Sequence, residues 1–175
     1  MPGRRTLVLG GTRSGKSAHA EDLLPADAPV RYLATARRVP DDAEWDARIA
    51  AHRSRRPAGW RTEEGADLAA VLRAGGPDPL LVDDVATWLT GVLDDAGAWD
   101  ADRPVVVAQV DALVAAVATC PARLVLVSAE VGLGVVPATR AGRLFRDELG
   151  ALNAALAAVC DEVVLLVAGL PLRLK

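Results

Sequence analysis

Leu7-Val8-Leu9-Gly10-Gly11-Thr12-Arg13-Ser14-Gly15-Lys16-Ser17 runs an apolar triplet straight into a turn that completes the pattern G-x-x-x-x-G-K-[ST]. An apolar strand before the turn and the helix-forming stretch Ala18 to Leu24 after it are the setting in which this pattern is a phosphate-binding loop. There the backbone amides cradle phosphates and the start of the helix adds positive partial charge. Lys16 reaches the outer phosphates, and the Ser17 hydroxyl holds a magnesium ion.

Outward from this loop, short apolar runs alternate with helical stretches. Leu7–Leu9, Arg31–Thr35, Leu80–Val82, Leu124–Ser128 and Glu162–Val167 read as strands. The helical candidates are Ser17–Leu24, Asp41–Ser54, Ala66–Ala74, Val85–Leu93, Val105–Thr119 and Thr139–Val159. Continuous apolar strands imply a sheet covered on both faces, and the alternation implies an α/β fold with a mainly parallel sheet. Gly and Pro cluster at Pro25–Pro29, Gly75–Pro77, Gly97–Pro104 and Gly132–Pro137, where such a fold needs its loops. None of these is long enough for a disordered linker, so residues 1–175 are expected to form one nucleotide-binding domain.

Composition narrows the partners. Half of the 175 residues are hydrophobic, yet no run approaches the roughly 20 apolar residues that span a bilayer, and Met1-Pro2-Gly3-Arg4-Arg5 leads directly into the first strand. A soluble, cytoplasmic protein with no membrane insertion is expected. Net charge is −3 with arginines interspersed among carboxylates, which gives no footprint for nucleic acid. Cys120 and Cys160 form no C-x-x-C pair and read as buried thiols in a reducing compartment. The tryptophans Trp45, Trp60, Trp88 and Trp99 read as packing residues. Only Lys16 and Lys175 are lysines, so a guanine-reading N-K-x-D motif does not exist here.

Two further places carry chemistry. Leu80-Leu81-Val82-Asp83-Asp84 is an apolar strand ending in carboxylates, and an acid at the carboxyl end of such a strand lies near the phosphate loop, where it binds magnesium directly or through water. Asp83 is the expected ligand, with Asp84 the alternative. His52 precedes Arg53, Arg55 and Arg56; a solvated basic loop accounts for such a cluster, and so does an imidazole set among phosphate ligands. His19, on the first helix, has no such company. On these residues alone a small-molecule kinase and a non-enzymatic nucleotide switch both remain open.

Taken together, the motifs resemble the bifunctional adenosylcobinamide kinase and adenosylcobinamide-phosphate guanylyltransferase family of cobalamin biosynthesis. The loop GGTRSGKS is close to the family's GGARSGKS, and Tyr32-Leu33-Ala34-Thr35-Ala36 resembles its second strand. Residues 48–64 are similar to its R-I-x-x-H-R-x-x-R-P-x-x-W-x-T-x-E signature. Glu130 to Pro137, Phe145-Arg146-Asp147, Asp161-Glu162-Val163 and Val167 to Pro171 also fit. The resemblance implies a RecA-like domain, a homotrimer, and His52 as the residue that takes GMP covalently. It implies that Gly10, Gly11, Thr12, Arg13, Ser14, Gly15, Lys16, Ser17, Ala34, Thr35, Ala36, Arg53, Ser54, Arg55, Arg56, Glu64 and Asp83 line the GTP site. Magnesium is the implied metal, on Ser17 and Asp83, with ATP or GTP, adenosylcobinamide and adenosylcobinamide phosphate as substrates. Asp84 stands where the family commonly has Cys, and Gly91 and Ala129 where it commonly has Asn.

Overall fold

A computed structural model describes residues 4–37, 56–100 and 104–175. In chain order these form β1 (Arg5–Gly10), α1 (Lys16–Asp22), β2 (Arg31–Ala34), β3 (Arg61–Glu64), α2 (Leu68–Ala74) and β4 (Leu80–Asp83). There follow α3 (Val85–Asp95), α4 (Pro104–Thr119), β5 (Leu124–Ala129), α5 (Arg140–Val159), β6 (Glu162–Val167) and β7 (Leu170–Arg173). The strands make one seven-stranded sheet in the order β3-β2-β4-β5-β1-β6-β7. Every neighbouring pair is parallel except β6 with β7.

Strand parity sorts the core into two layers. Leu7, Leu9, Leu33, Leu80, Val82, Leu124 and Leu126 pack in one cluster with side chains of α2 to α5. Their alternates Val8, Tyr32, Leu81, Val125, Val127 and Val164 pack on the other face with Ala20 of α1, Leu24 and Trp60. A sheet apolar on both faces therefore has helices on both, as the unbroken apolar strands require. Fully burying each such Leu or Val contributes about 1.5–3 kcal/mol.

Helix starts follow local chemistry. Asp67, Asp84 and Thr139 cap α2, α3 and α5 by accepting from the backbone N–H of Ala70, Thr87 and Gly142. On α5, Leu149, Leu152, Asn153 and Leu156 recur at helical spacing and are buried. Within that buried face Ser128 Oγ donates to Asn153 Oδ1 at 2.7 Å, and Asn153 Nδ2 donates to the Ala129 carbonyl at 3.0 Å. At the opposite end of the sheet Arg5 grips Asp161 through its backbone N–H, Nε and Nη2 at 2.8, 3.1 and 2.9 Å.

The α/β fold and the five expected strands are borne out, while β3 and β7 were not expected. β3 reads Arg-Thr-Glu-Glu and lies at the sheet edge, so it carries no apolar signal. β7 contains Pro171, and it pairs through a two-residue turn in which Ala168 and Gly169 have φ of 52° and 79°. The helix expected over Asp41–Ser54 lies outside the described residues. Cys120 and Cys160 are both buried and unpaired. Trp60 packs beneath the sheet and donates from its indole N–H to the Pro25 carbonyl, whereas Trp99 packs near Phe145 with ring centroids 6.4 Å apart. Trp45 lies outside the described residues.

Candidate active site

The carboxyl ends of β1, β2, β4 and β5 share one edge of the sheet, and the loop after β1 crosses it. Gly15, with φ of 89°, turns the chain into α1 in a conformation that side chains rarely adopt, and it offers no capping side chain to the first amides of that helix. Lys16 folds back so that Nζ donates to the Gly11 carbonyl at 3.3 Å. Ser14 Oγ is buried in the loop with no hydrogen-bond partner among the described residues. A Cβ on Gly10 would lie 2.3 Å from that hydroxyl. A buried orphan hydroxyl within a ring of amides is a group that a bound phosphate satisfies.

Next to the loop, Ser17 Oγ lies 3.3 Å from Asp83 Oδ1. Asp83 ends β4 with the parity of Leu81, so its carboxylate faces α1. Two hard oxygens at this spacing suit magnesium, an ion that takes its remaining ligands from phosphates and water. No group of three or more His, Cys, Asp and Glu gathers among the described residues, so the described chain offers a partial shell and no cage. Asp84 is used differently: Oδ1 accepts from the Thr87 N–H and hydroxyl, both at 2.7 Å, and caps α3. Burial raises its carboxyl above the usual range, against those two hydrogen bonds.

Around this pair, Thr35 Oγ1 donates to the Asp84 carbonyl at 2.7 Å and accepts from the Asp84 N–H at 2.9 Å, locking the end of β2 to the end of β4. Tyr32 OH donates to Asp83 Oδ2 at 2.5 Å. The Arg56 guanidinium lies over the Tyr32 ring, 3.3 Å from its centroid. Arg56 also donates from Nη1 to Thr62 Oγ1 at 3.0 Å, and its Nε is 4.0 Å from Glu21 Oε1. Its side chain is 8% exposed, so Arg56 is an anchor in this arrangement rather than an arm held out to solvent.

Two cavities open nearby. The larger, about 800 Å³, is lined by Ala34, Thr35 and Ala36, by Glu64 and by Trp88 and Gly91 of α3. Arg37 crosses its wall to Asp95, with Nη1 to Oδ1 at 2.7 Å. Gly91 makes room for it, since a Cβ there would lie 3.0 Å from Arg37 Nε. The smaller, about 350 Å³, lies between the loop residues Gly11–Ser14, Glu130, Leu133 and the end of β6.

Gly10, Gly11, Thr12, Arg13, Ser14, Gly15, Lys16, Ser17 and Asp83 thus meet at one point, while Ala34, Thr35, Ala36 and Glu64 border the larger cavity. His52, Arg53, Ser54 and Arg55 lie outside the described residues, and Arg56 is the member of that cluster that the structure describes. Sequence reading missed Tyr32. The available signal was that it is the only tyrosine in the chain and sits just upstream of the Ala34-Thr35-Ala36 stretch.

A family model described as cobinamide kinase / cobinamide phosphate guanyltransferase matches residues 6–174. The chain is 46% identical over 177 residues to the bifunctional adenosylcobalamin biosynthesis protein CobP of Pseudomonas aeruginosa, covering 98% of this chain and 97% of the relative. It is 41% identical to the protein CobU of the same description from Escherichia coli over 180 residues and from Salmonella typhimurium over 181, covering 97% of this chain and 98% of each relative. Among solved structures, the assembled ATPase EscN of the enteropathogenic E. coli type III secretion system matches with a TM-score of 0.54 at 14% identity. That match covers 95% of this chain and 43% of the ATPase, and it bears out the fold alone.

Proposed function

We propose how a chain that belongs to the cobinamide kinase / cobinamide phosphate guanyltransferase family, with both of those activities, divides them among its own residues. The carrying observation is the Ser17–Asp83 contact beside a complete phosphate loop, in a chain that matches the family along nearly its whole length. Residues 1–175 act as one domain.

In the kinase reaction the loop amides and Lys16 hold the triphosphate of ATP or GTP. Ser17 and Asp83 hold magnesium, which neutralises charge on the phosphate oxygens. The aminopropanol hydroxyl of adenosylcobinamide attacks the γ-phosphorus, the bond to the β-phosphate oxygen breaks, and the hydroxyl proton leaves to solvent. Positioning and charge stabilisation account for most of the acceleration.

In the guanylyltransferase reaction the neutral His52 imidazole attacks the α-phosphorus of GTP. The bond to the pyrophosphate oxygen breaks, which leaves a guanylyl-histidine. A phosphate oxygen of adenosylcobinamide phosphate then attacks the same phosphorus, frees His52 and gives adenosylcobinamide-GDP. An imidazole whose ordinary pKa is about 6.5 is largely neutral, and so nucleophilic, at pH 7. Ala34–Ala36, Glu64 and Arg53–Arg55 line the nucleotide site, with Arg56 anchored behind it on the Tyr32 ring, and three copies assemble as a homotrimer in the cytoplasm. No helix of the described residues is long and apolar enough to cross a membrane.

Incubation with α-labelled GTP and magnesium tests the reading. Covalent label that chases into adenosylcobinamide-GDP on addition of adenosylcobinamide phosphate supports it. Product formed with no labelled protein at any time would replace the covalent route by direct transfer.

A further inference from the structure

Asp83 spends its two carboxylate oxygens differently. Oδ1 faces Ser17 Oγ at 3.3 Å, and Oδ2 accepts from the Tyr32 hydroxyl at 2.5 Å. Tyr32 stands on the adjacent strand, paired in register with Leu81 while Asp83 pairs with Ala34, so the phenol reaches diagonally along the shared face to the carboxylate. The ring itself is 2% exposed in the core beneath α1, and the Arg56 guanidinium covers its face. Facing a carboxylate oxygen, which can only accept, the phenol hydroxyl is the donor of this hydrogen bond.

We infer that Tyr32 is a positioning residue for the metal site: its hydroxyl pins Asp83 Oδ2 and thereby keeps Oδ1 turned toward Ser17, where a magnesium–nucleotide complex docks. Arg56, stacked on the ring and tied to Thr62 and Glu21, holds the ring against the carboxylate and joins this arrangement to the segment that follows His52. Outer partners that orient metal-binding carboxylates carry a large share of the affinity; losing one typically weakens metal binding by about 10–100-fold. The inference rests on the reading of Asp83 as a magnesium ligand.

Tyr32→Phe removes the hydroxyl and keeps the ring under Arg56. Manganese affinity, measured by electron paramagnetic resonance with GTP present, is expected to fall by about tenfold or more. GTP binding without metal, read with a fluorescent GTP analogue, is expected to stay within twofold, and the thermal midpoint close to that of the parent. In turnover the variant is expected to need more magnesium for half-maximal rate while recovering most of the parent rate at saturating magnesium. Manganese affinity within twofold of the parent overturns the inference, as does an equal loss of metal-free GTP binding. Asp83→Asn separates the two levels. If it loses manganese while Tyr32→Phe does not, only the role of Tyr32 fails; if it binds manganese normally, the assignment of Asp83 fails and that of Tyr32 with it.

Discussion

Ser17 Oγ and Asp83 Oδ1 are 3.3 Å apart although 66 residues separate them in the chain. The contact places the end of β4 against the first turn of α1, whereas the neighbouring Asp84 turns away to cap α3. Asp83→Asn is therefore expected to raise the magnesium needed for half-maximal activity far more than Asp84→Asn, because asparagine caps a helix about as well as aspartate. Magnesium titrations of both variants in the two half-reactions check this; equal effects would place the metal elsewhere.

Lys16→Ala is expected to slow both γ-phosphate transfer and guanylylation, since one triphosphate cradle serves both. Loss of a charge-assisted contact costs about 1.5–3 kcal/mol in nucleotide binding, and more where charge develops in the transition state. Isotope-based assays of each reaction measure it, and parental rates in either would remove the loop from that reaction.

His52→Ala is expected to abolish covalent labelling by α-labelled GTP and the formation of adenosylcobinamide-GDP, while phosphorylation of adenosylcobinamide persists. On the unsubstituted protein the label should come off in acid and survive alkali, as a phosphorus–nitrogen bond to imidazole does. His19→Ala is the control and should label normally. Labelling of His52→Ala at the parental rate would assign the nucleophile elsewhere.

Asp161 is held at a carboxyl pKa of about 2, chiefly by its side-chain hydrogen bond from Arg5. A carboxyl depressed in the folded state stabilises the fold above its unfolded value of about 3.9 and loses that contribution as pH falls toward the folded one. Asp161→Asn is expected to be less stable than the parent at neutral pH, with the difference shrinking from about pH 5 and vanishing only toward about pH 1. Denaturant midpoints across that range report it. A constant difference would mean that the carboxylate charge is not what Arg5 holds.

Asn153→Leu keeps the bulk of a buried side chain but strips hydrogen bonds from the Ser128 hydroxyl and the Ala129 carbonyl. Each buried polar group left unpaired costs about 1–3 kcal/mol. Adding Ser128→Ala in the same chain removes one of the two and is expected to restore part of the loss. Urea unfolding of the single and double variants tests this, and full independence of the two changes would deny the coupling.

The parts of the fold that were legible were those with unmixed signals. The middles of β1, β4 and β5, at Leu7–Leu9, Leu80–Val82 and Leu124–Val127, are unbroken apolar runs, and the loop between Gly10 and Ser17 has a sequence that few other structures need. β3 was not legible, because an edge strand of Arg, Thr and two Glu differs from a loop only through its pairing with β2. That an acid stands beside the loop was readable from the apolar run Leu80–Val82 ending in Asp83 and Asp84; which of the two faces α1 is fixed by the parity of Asp83 with Leu81. The reach of Tyr32 was not readable, since it depends on the register between β2 and β4, which no local pattern in either strand encodes. The role of Asp84 as a helix cap is readable from an aspartate directly ahead of the apolar helix that starts at Val85, a signal that competes with its reading as a metal ligand.

Gly91, Arg37 and Asp95 meet at one place on the face of α3. The guanidinium lies 3.0–3.1 Å from where a Cβ at position 91 would stand, and the carboxylate one turn further along α3 is its counter-charge. An asparagine at 91 would press on the guanidinium, which is more than half exposed and has room to shift outward, loosening its hold on Asp95. Across homologous sequences a larger residue at 91 is expected more often where position 37 or 95 has lost its charge.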